Sequence, residues 1–255
     1  MTTFTPRVCD ISHYEWIDND NGFGKAQAAG LWGIISKATQ GTSSKDQYYL
    51  SRRVAAKKAG LLYGSYHFND GENVQKQVDY YLAYADPQPD ELVCLDYEAN
   101  PASDMSINQA VEFLHRIEEK LGRKAVIYSG NKLKETISRL SATDQAYVAS
   151  HRLWLAQYSY TATLPHGFKN WWLWQYTGDG AGPTPHWVNG ITAPGNKGLD
   201  LNIFSGTLDE LKATWSGLPT QVANVQPTVV APSIVPSVPV ANVVPTPTKH
   251  WWDVF

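Results

Sequence analysis

Short apolar segments alternate with helical patterns up to residue 140, and this order constrains the fold more than any other feature of the chain. The apolar segments have the length and period-two alternation of β-strands, and the segments between them have the spacing of amphipathic helices. After residue 150 the strands continue, but the long helical patterns between them cease. The predicted strands are Val8–Ser12, Gly33–Thr39, Leu61–Phe68, Leu92–Glu98, Lys124–Ser129, Arg152–Ser159, Trp171–Thr177 and Leu199–Ser205.

Helix boundaries are marked by capping residues. Ser106 and Gln109 form an S-x-x-Q capping box at the start of one helix, and Gly122 ends it. Gly60 ends the earlier predicted helix Lys45–Ala59 in the same way. The other predicted helices are Asn73–Ala85, Lys132–Arg139 and Leu208–Trp215.

Five strand–helix units followed by three further strands predict an α/β fold, a TIM-like barrel in which the last helices are eroded. The alternative is a doubly wound open sheet. That fold would need two edge strands and a glycine-rich phosphate loop, and the sequence contains no such loop.

The composition changes abruptly after the last predicted helix. Residues 1–215 form the predicted barrel domain, and residues 216–248 contain seven prolines and no charged residue, which is typical of an extended linker. Residues 249–255 form an aromatic tail with Trp251, Trp252 and Phe255. This tail either folds back onto the barrel or contacts a partner or a surface, and the first interpretation is weakly favoured because exposed aromatic patches are usually avoided.

Charge and cysteine content exclude several classes of function. The net charge is −3 without a cluster of Lys or Arg, so nucleic-acid binding is not predicted. No apolar segment is long enough to cross a membrane, and the N-terminal residues lack the apolar core of a secretion signal. The two cysteines, Cys9 and Cys94, do not have zinc-site spacing, and strand alternation predicts no disulfide between them.

Two acidic residues share one face of the fourth strand. Alternation places Asp96 and Glu98 on the same side, about 6.6 Å apart along the strand. Val93, Leu95 and Tyr97 occupy the other side, which suits packing against helices. The carboxyl ends of the strands form the active-site face of a barrel of this type, so the two acids are expected there.

Two further acids are expected at the same opening. Asp10 lies near the end of the first strand and Asp200 begins the last one, and these strands are neighbours in a closed barrel. We expect no Lys or Arg within the strands to neutralise the four acids. Their mutual repulsion and partial burial should raise at least one pKa, as a general acid at neutral pH requires.

Such a carboxyl group suits glycoside hydrolysis, in which an acid protonates the leaving oxygen and a second group stabilises the positive centre. Other interpretations exist for each residue. Asp10 or Asp200 alone could be a turn or cap residue, and Asp96 with Glu98 could bind a divalent metal, although such sites usually recruit more oxygen ligands. The combination of four acids at strand ends favours catalysis without a metal.

An ordered series of motifs resembles glycoside hydrolase family 25, the Chalaropsis-type lysozymes found among phage endolysins and bacterial autolysins. The resemblance covers roughly residues 7–215. The motifs are Cys9-Asp-Ile-Ser12, Tyr66-His-Phe68, Asp96-Tyr-Glu98, Leu153-Trp-Leu-Ala-Gln-Tyr158, Leu173-Trp-Gln-Tyr176 and Asp200-Leu-Asn-Ile-Phe204.

The resemblance implies a barrel that cleaves the β-1,4 bond between N-acetylmuramic acid and N-acetylglucosamine in peptidoglycan, without a cofactor. It implies that Glu98 is the general acid, that Asp96 orients or stabilises the substrate N-acetyl group, and that Asp10 and Asp200 support them. Retention of configuration is expected. The substrate-binding residues implied by the motifs are Tyr66, Trp154, Tyr158, Gln175 and Tyr176.

One position departs from the family pattern. Many members have Gln shortly after the first Ser, whereas this chain has Glu15 followed by Trp16. This difference affects substrate contacts at the edge of the groove and not the chemistry.

Two rival functions fit part of the same pattern. A chitinase-like glycosidase would share Asp96-x-Glu98, but the upstream acids of that motif would fall on Leu92 and Cys94. A catalytically silent glycan-binding or phage structural module would not need all four acids. The expected setting is a monomeric phage endolysin, made in the host cytoplasm and released to the wall by a separate protein, with export by another route as the alternative.

Overall fold

A closed eight-stranded barrel forms the centre of the molecule. The computed structural model describes residues 4–218, except the side chain of Asn196. The strands are β1 (Val8–Ile11), β2 (Trp16–Ile17), β3 (Gly33–Gln40), β4 (Ser44–Lys45), β5 (Leu62–Phe68), β6 (Leu92–Asp96), β7 (Val126–Ser129), β8 (Arg152–Ala156), β9 (Leu173–Thr177), β10 (Ile191–Thr192) and β11 (Asp200–Ile203). The helices are α1 (Gly22–Ala28), α2 (Tyr49–Lys58), α3 (Val74–Ala85), α4 (Ile107–Leu121), α5 (Asn131–Thr136), α6 (Ala142–Ala149) and α7 (Leu208–Trp215), with 3₁₀ turns at Ile137–Arg139 and Pro194–Asn196.

The barrel closes because β1 pairs on both of its sides. Its strand order is β1-β3-β5-β6-β7-β8-β9-β11, and β11 pairs again with β1. All pairs are parallel except the two made by β11, which runs antiparallel to both β9 and β1. The short strand β4 adds to β3 as a hairpin. The predicted class, five β/α units plus three strands in a TIM-like barrel, is confirmed.

The capping residues predicted for α4 are confirmed, and α3 has a side-chain cap as well. Ser106 and Gln109 form both bonds of the capping box at α4, and Gly122 ends the helix in the left-handed conformation. Asn73 caps α3 through the Lys76 amide.

Several short elements differ from the sequence prediction. Helix α2 begins at Tyr49 and not at Lys45, because Ser44 and Lys45 pair with the end of β3. The helices α1 and α6 and the ribbon of β2 with β10 were not predicted. These segments are short, and their apolar residues are too few to give a clear periodicity.

The barrel interior and the outer layer form two separate apolar clusters. Inside, residues such as Val8, Ile35 and Leu92 fill the space between the strands. Outside, alternate strand residues pack against the helices. Both cysteines are buried and free, with Cys94 inside and Cys9 outside, as the alternation predicts.

Helix α7 closes the amino-terminal end of the barrel. Trp215 is buried with the interior cluster, and its indole Nε1 donates to the Tyr63 carbonyl at 2.8 Å. Arg152 donates from Nη1 to the carbonyl of Trp215 at 2.7 Å. The barrel is therefore plugged at this end and open only at the other.

The predicted linker from residue 219 onward and the aromatic tail with Trp251, Trp252 and Phe255 lie outside the described residues. Within residues 4–218, no helix has both the length and the apolar character needed to cross a membrane.

We expect Trp215→Ala to lower the free energy of unfolding by about 3–5 kcal/mol, because it leaves a cavity and an unpaired carbonyl at the closed end. Urea denaturation monitored by circular dichroism measures this change. The control is Val54→Ala, which alters a side chain exposed on α2. A Trp215→Ala loss no larger than that of the control would show that α7 is not needed to close the barrel.

Candidate active site

The direction of β11 brings two of the predicted acids together. Asp10 lies near the end of β1, and Asp200 is the first residue of β11. Because β11 is antiparallel to β1, its first residue lies at the carboxyl end of the parallel strands, and Asp200 pairs directly with Asp10. A parallel last strand would have placed Asp200 at the closed end.

The carboxylate of Asp10 lies inside the barrel in a network of hydrogen bonds. Asn202 donates from Nδ2 to Oδ1 at 2.7 Å, and Gln175 donates from Nε2 to both oxygens at 3.2 and 3.1 Å. The amides are oriented in turn, because Tyr128 donates to Gln175 at 2.6 Å and Trp154 donates to Asn202 at 2.5 Å. Burial raises the pKa of Asp10 to about 7, although these hydrogen bonds act in the opposite direction.

Asp96 ends β6 and is buried at the base of the opening. Its Oδ1 atom has no hydrogen-bond partner among residues 4–218. Burial and the nearby charge of Glu98 raise its pKa well above the usual range, while Lys37 and Lys132 lower it. A buried carboxyl oxygen without a partner costs stability, which marks this position as a functional one.

Glu98 lies two residues beyond the end of β6, and its backbone is held firmly. Its carbonyl accepts 2.9 Å hydrogen bonds from Asn69 Nδ2 and from Lys132 Nζ. Burial, followed by the charge of Asp179, raises the pKa of Glu98 to about 7, and Lys132 opposes this shift. A carboxyl group that keeps its proton near neutral pH and projects from a fixed backbone is suited to general acid catalysis.

Asp200 completes the group of acids. Burial raises its pKa well above the usual range, and the charges of Asp10 and Glu15 add to the shift. Its carboxylate and the Tyr158 hydroxyl both lie against Gly178, where any larger residue would collide with them. Asp200 and Tyr158 are therefore neighbours at the opening.

The expectation that no strand cation lies near the acids is wrong. Lys37 of β3 is largely buried, and its positive charge acts on Asp96. Its Nζ donates to Gln40 Oε1 at 2.7 Å and lies 4.9 Å from the centre of the Phe68 ring. Alternation puts this lysine on the inner face, but its reach towards β6 depends on how the barrel closes, which the sequence pattern did not reveal.

The five predicted substrate-binding residues divide into two groups. Tyr66 and Tyr158 lie at the opening, since the charges of Asp96 and Asp200 respectively raise their pKa values in addition to burial. Gln175 is buried and holds Asp10, so it is a positioning residue.

Trp154 and Tyr176 do not line the groove, contrary to the sequence prediction. Trp154 faces inward but is only 1% exposed, because its register opposite Leu173 places it below Gln175. Tyr176 is fully buried on the outer face, where it stacks on Phe4 with ring centres 4.7 Å apart. Adjacent residues of a strand point to opposite sides, so Gln175 and Tyr176 cannot both face inward.

Two residues of the network around Asp10 escaped the sequence analysis. Tyr128 and Asn202 are polar residues at inward positions of β7 and β11. A polar residue on the buried face of a strand is the signal that identifies such positions. Across residues 4–218 there is also no cluster of three His, Cys, Asp or Glu side chains arranged to hold a metal ion.

Comparisons with known proteins agree with this geometry. The chain matches the sequence profile of glycosyl hydrolases family 25 over residues 9–184. It is 26% identical to Lysozyme M1 of Streptomyces globisporus, over 80% of this chain and 69% of that protein. It is 29% identical to YegX of Escherichia coli K12 over 71% of this chain, but it spans less than two thirds of that protein, 62%. The structure of a muramidase from Trichobolus zukalii superposes with a TM-score of 0.63 and 27% identity, covering 84% of this chain and all of the other.

Replacing Glu98 with Gln should stabilise the protein increasingly as the pH rises. The carboxyl pKa is near 4.5 in the unfolded chain and about 7 in the folded protein, so the folded state binds the proton more tightly. Wild-type stability should fall as the pH rises through this interval, and Glu98→Gln removes that loss. We expect the variant to gain up to about 3 kcal/mol over wild type at pH 8. Urea denaturation at pH 5 and pH 8 tests this, and an equal difference at both values would contradict it.

Replacing Gln175 with Met should raise the pKa of Asp10 above its value of about 7, because two N–H contacts to the carboxylate are lost. Carbon-13 NMR titration of the aspartate carboxyl groups measures the shift. Trp174→Phe is the matched control, since it changes the next residue of β9 on the outer face. A shift in the control of the same size would refute the assignment to the amide.

Proposed function

The chain belongs to glycosyl hydrolases family 25, and we propose that it is a muramidase that cleaves the β-1,4 bond between N-acetylmuramic acid and N-acetylglucosamine. The observation on which this rests is the Glu98 carboxyl group, held at the open end of the barrel with a pKa of about 7 beside the buried Asp96. The relatives described as lysozyme and muramidase support the choice of substrate.

In this proposal Glu98 donates its proton to the glycosidic oxygen as the bond to the leaving sugar breaks. The side chains of Asn69 and Lys132 hold the backbone carbonyl of Glu98, so the backbone from which the acid projects is fixed before the reaction. After the leaving sugar departs, the same carboxylate accepts a proton from the attacking water, which restores the acid.

Asp96 acts on the other side of the reaction. Its carboxylate accepts a hydrogen bond from the N–H of the substrate N-acetyl group, which gives the unpartnered Oδ1 a partner, and orients the acetyl oxygen towards the anomeric carbon. In its ionised form, Asp96 stabilises the positive charge that develops there. Attack from within the substrate, followed by attack of water, gives retention of configuration.

Asp10 and Asp200 act through their electrostatic effect on the substrate at the opening. Asp10 is held next to Asp200 by the amides of Gln175 and Asn202, and its ionised form favours the oxocarbenium-like centre. Tyr66 and Tyr158 border this site and are available to bind the sugar rings. A role as a monomeric endolysin in host lysis, with release from the cytoplasm by a separate protein, stays a prediction from the sequence.

We expect Glu98→Gln to reduce kcat on purified peptidoglycan by about 100- to 10,000-fold, the usual contribution of a general acid. Wild-type digests reduced with borohydride should contain reduced N-acetylmuramic acid ends by mass spectrometry. The matched control is Glu119→Gln, exposed on α4, which should leave kcat unchanged. Reduced N-acetylglucosamine ends would refute the bond specificity, and cleavage of chitin oligomers in place of peptidoglycan would favour a chitinase-like enzyme.

A further inference from the structure

A short ribbon beside the barrel opening displays two tryptophans that the proposed hydrolysis does not use. Strands β2 and β10 pair so that Trp16 lies opposite Thr192 and Ile17 lies opposite Ile191. An antiparallel bridge then joins Ile191 to Val188, which adds a third segment to the ribbon. The residue before Val188 is Trp187.

The two faces of this ribbon differ in character. Ile17, Ile191 and Val188 form an inner row that packs on the apolar layer outside the barrel. Because side chains alternate along each segment, the neighbouring positions form an outer row of Trp16, Thr192 and Trp187. Trp16 is 71% exposed and Trp187 is 48% exposed.

The spacing of the segments gives this outer row the shape of an extended platform. Neighbouring strands lie about 4.8 Å apart, so two strand spacings, or about 10 Å, separate the backbones of Trp16 and Trp187. Thr192 lies between them and supplies a hydroxyl group. The indoles flank a polar centre and do not cover each other.

The platform is joined to the strand that carries Asp10 by a short, fixed turn. Trp16 follows Asp10 by six residues, which limits their separation to about 20 Å. The connecting turn is fixed by Glu15, which accepts hydrogen bonds from Ser12 N at 2.5 Å and from Ser12 Oγ at 3.2 Å. Arg52 also donates to the Glu15 carbonyl at 2.5 Å.

We propose that Trp16 and Trp187 form an additional subsite that binds the peptidoglycan glycan strand beyond the sugars at Glu98 and Asp96. This subsite rests on the proposed muramidase function. Flat indole rings present an apolar face to the apolar face of a sugar and an N–H donor to its hydroxyl groups. Tryptophan is enriched at binding interfaces, because one part of the ring is apolar and the N–H can still find a polar partner.

The charges around the platform favour a sugar polymer over an anionic partner. Glu15, Asp18 and Asp20 lie on the segment around Trp16, and Lys25 is already paired with Asp18 at 3.2 Å. A phosphate-rich nucleic acid or an anionic membrane would be repelled by these carboxylates. The sugar rings of a glycan strand are uncharged, so rings that extend beyond the opening can lie on the platform without this repulsion.

A remote subsite contributes equally to binding of the ground state and of the transition state. Its loss therefore raises KM and leaves kcat unchanged. The effect should appear with long strands, which span both the opening and the platform, and not with short ones.

The test compares wild type with the Trp16→Ala/Trp187→Ala double variant in the full chain. For insoluble sacculi we expect a KM increase of about tenfold with kcat unchanged, because buried tryptophans dominate the energy of many binding surfaces. For the tetrasaccharide of two GlcNAc–MurNAc units we expect both constants to stay within about twofold. An unchanged KM for sacculi, or equal losses on both substrates, overturns the proposal.

Matched variants identify the chemistry. Trp16→Tyr/Trp187→Tyr should restore most of the affinity, and Val54→Ala, at an exposed apolar position on α2, should change nothing. If the two tryptophans instead seat the aromatic C-terminal residues, the double variant will keep its KM and its C-terminus will be cleaved faster by protease, which overturns the proposal.

Co-sedimentation with sacculi measures binding without cleavage, so it tests the subsite independently of the proposed muramidase function. Glu98→Gln should bind sacculi, and adding the two alanine substitutions should weaken this binding about tenfold. If wild type does not cleave sacculi but this tryptophan-dependent binding is seen, the muramidase function fails and the glycan-binding subsite stands. If cleavage occurs and binding does not depend on the tryptophans, only the subsite fails.

Discussion

The antiparallel pairing of β11 with β1 is the constraint on which the site depends. It closes the barrel, and it also reverses the last strand so that its first residue lies at the open end. Asp200 is thereby placed next to Asp10, and Asn202, two residues further along β11, reaches the same carboxylate from below. One change of strand direction therefore determines both the closure of the fold and the concentration of acids.

This concentration of acids is costly, and the surrounding residues limit the cost without removing it. Buried carboxylates are strongly destabilising unless they are paired or hydrogen-bonded. Asp10 has three N–H contacts, and Lys37 and Lys132 reduce the repulsion at Asp96. The pKa values of Asp10 and Glu98 nevertheless rise to about 7. The remaining strain is the property that makes a carboxyl group an acid at neutral pH, so stability and chemistry oppose each other at this site.

Features that depend on local periodicity, such as strand faces and helix ends, could be predicted from the sequence. Features that depend on how the barrel closes could not. Alternation along β6 correctly separated Asp96 from Tyr97, and the capping box at Ser106 correctly located α4. Depth inside the barrel was not predictable, because strand stagger and not strand sequence places Trp154 below Gln175. The sequence also did not predict that Lys37 of β3 acts on Asp96 of β6, for the same reason. Tyr176 is a different case, because its outward direction follows from the inward direction of Gln175 and was available from the sequence.

Rigid and adaptable parts of the opening arise from different kinds of structure. Asp10 and Asp96 lie on barrel strands, where neighbours on both sides fix the backbone, and Glu98 is held by two contacts to its carbonyl. Trp16 lies on the short strand β2 and Trp187 lies on the segment before β10, outside the barrel sheet, and their exposed rings can change at little cost in stability. Glu15, the position at which the sequence departs from the family pattern, lies in the turn that leads to Trp16. Variation in such a chain is therefore expected at the platform, where it alters which polymer is held, while the barrel that performs the chemistry stays the same.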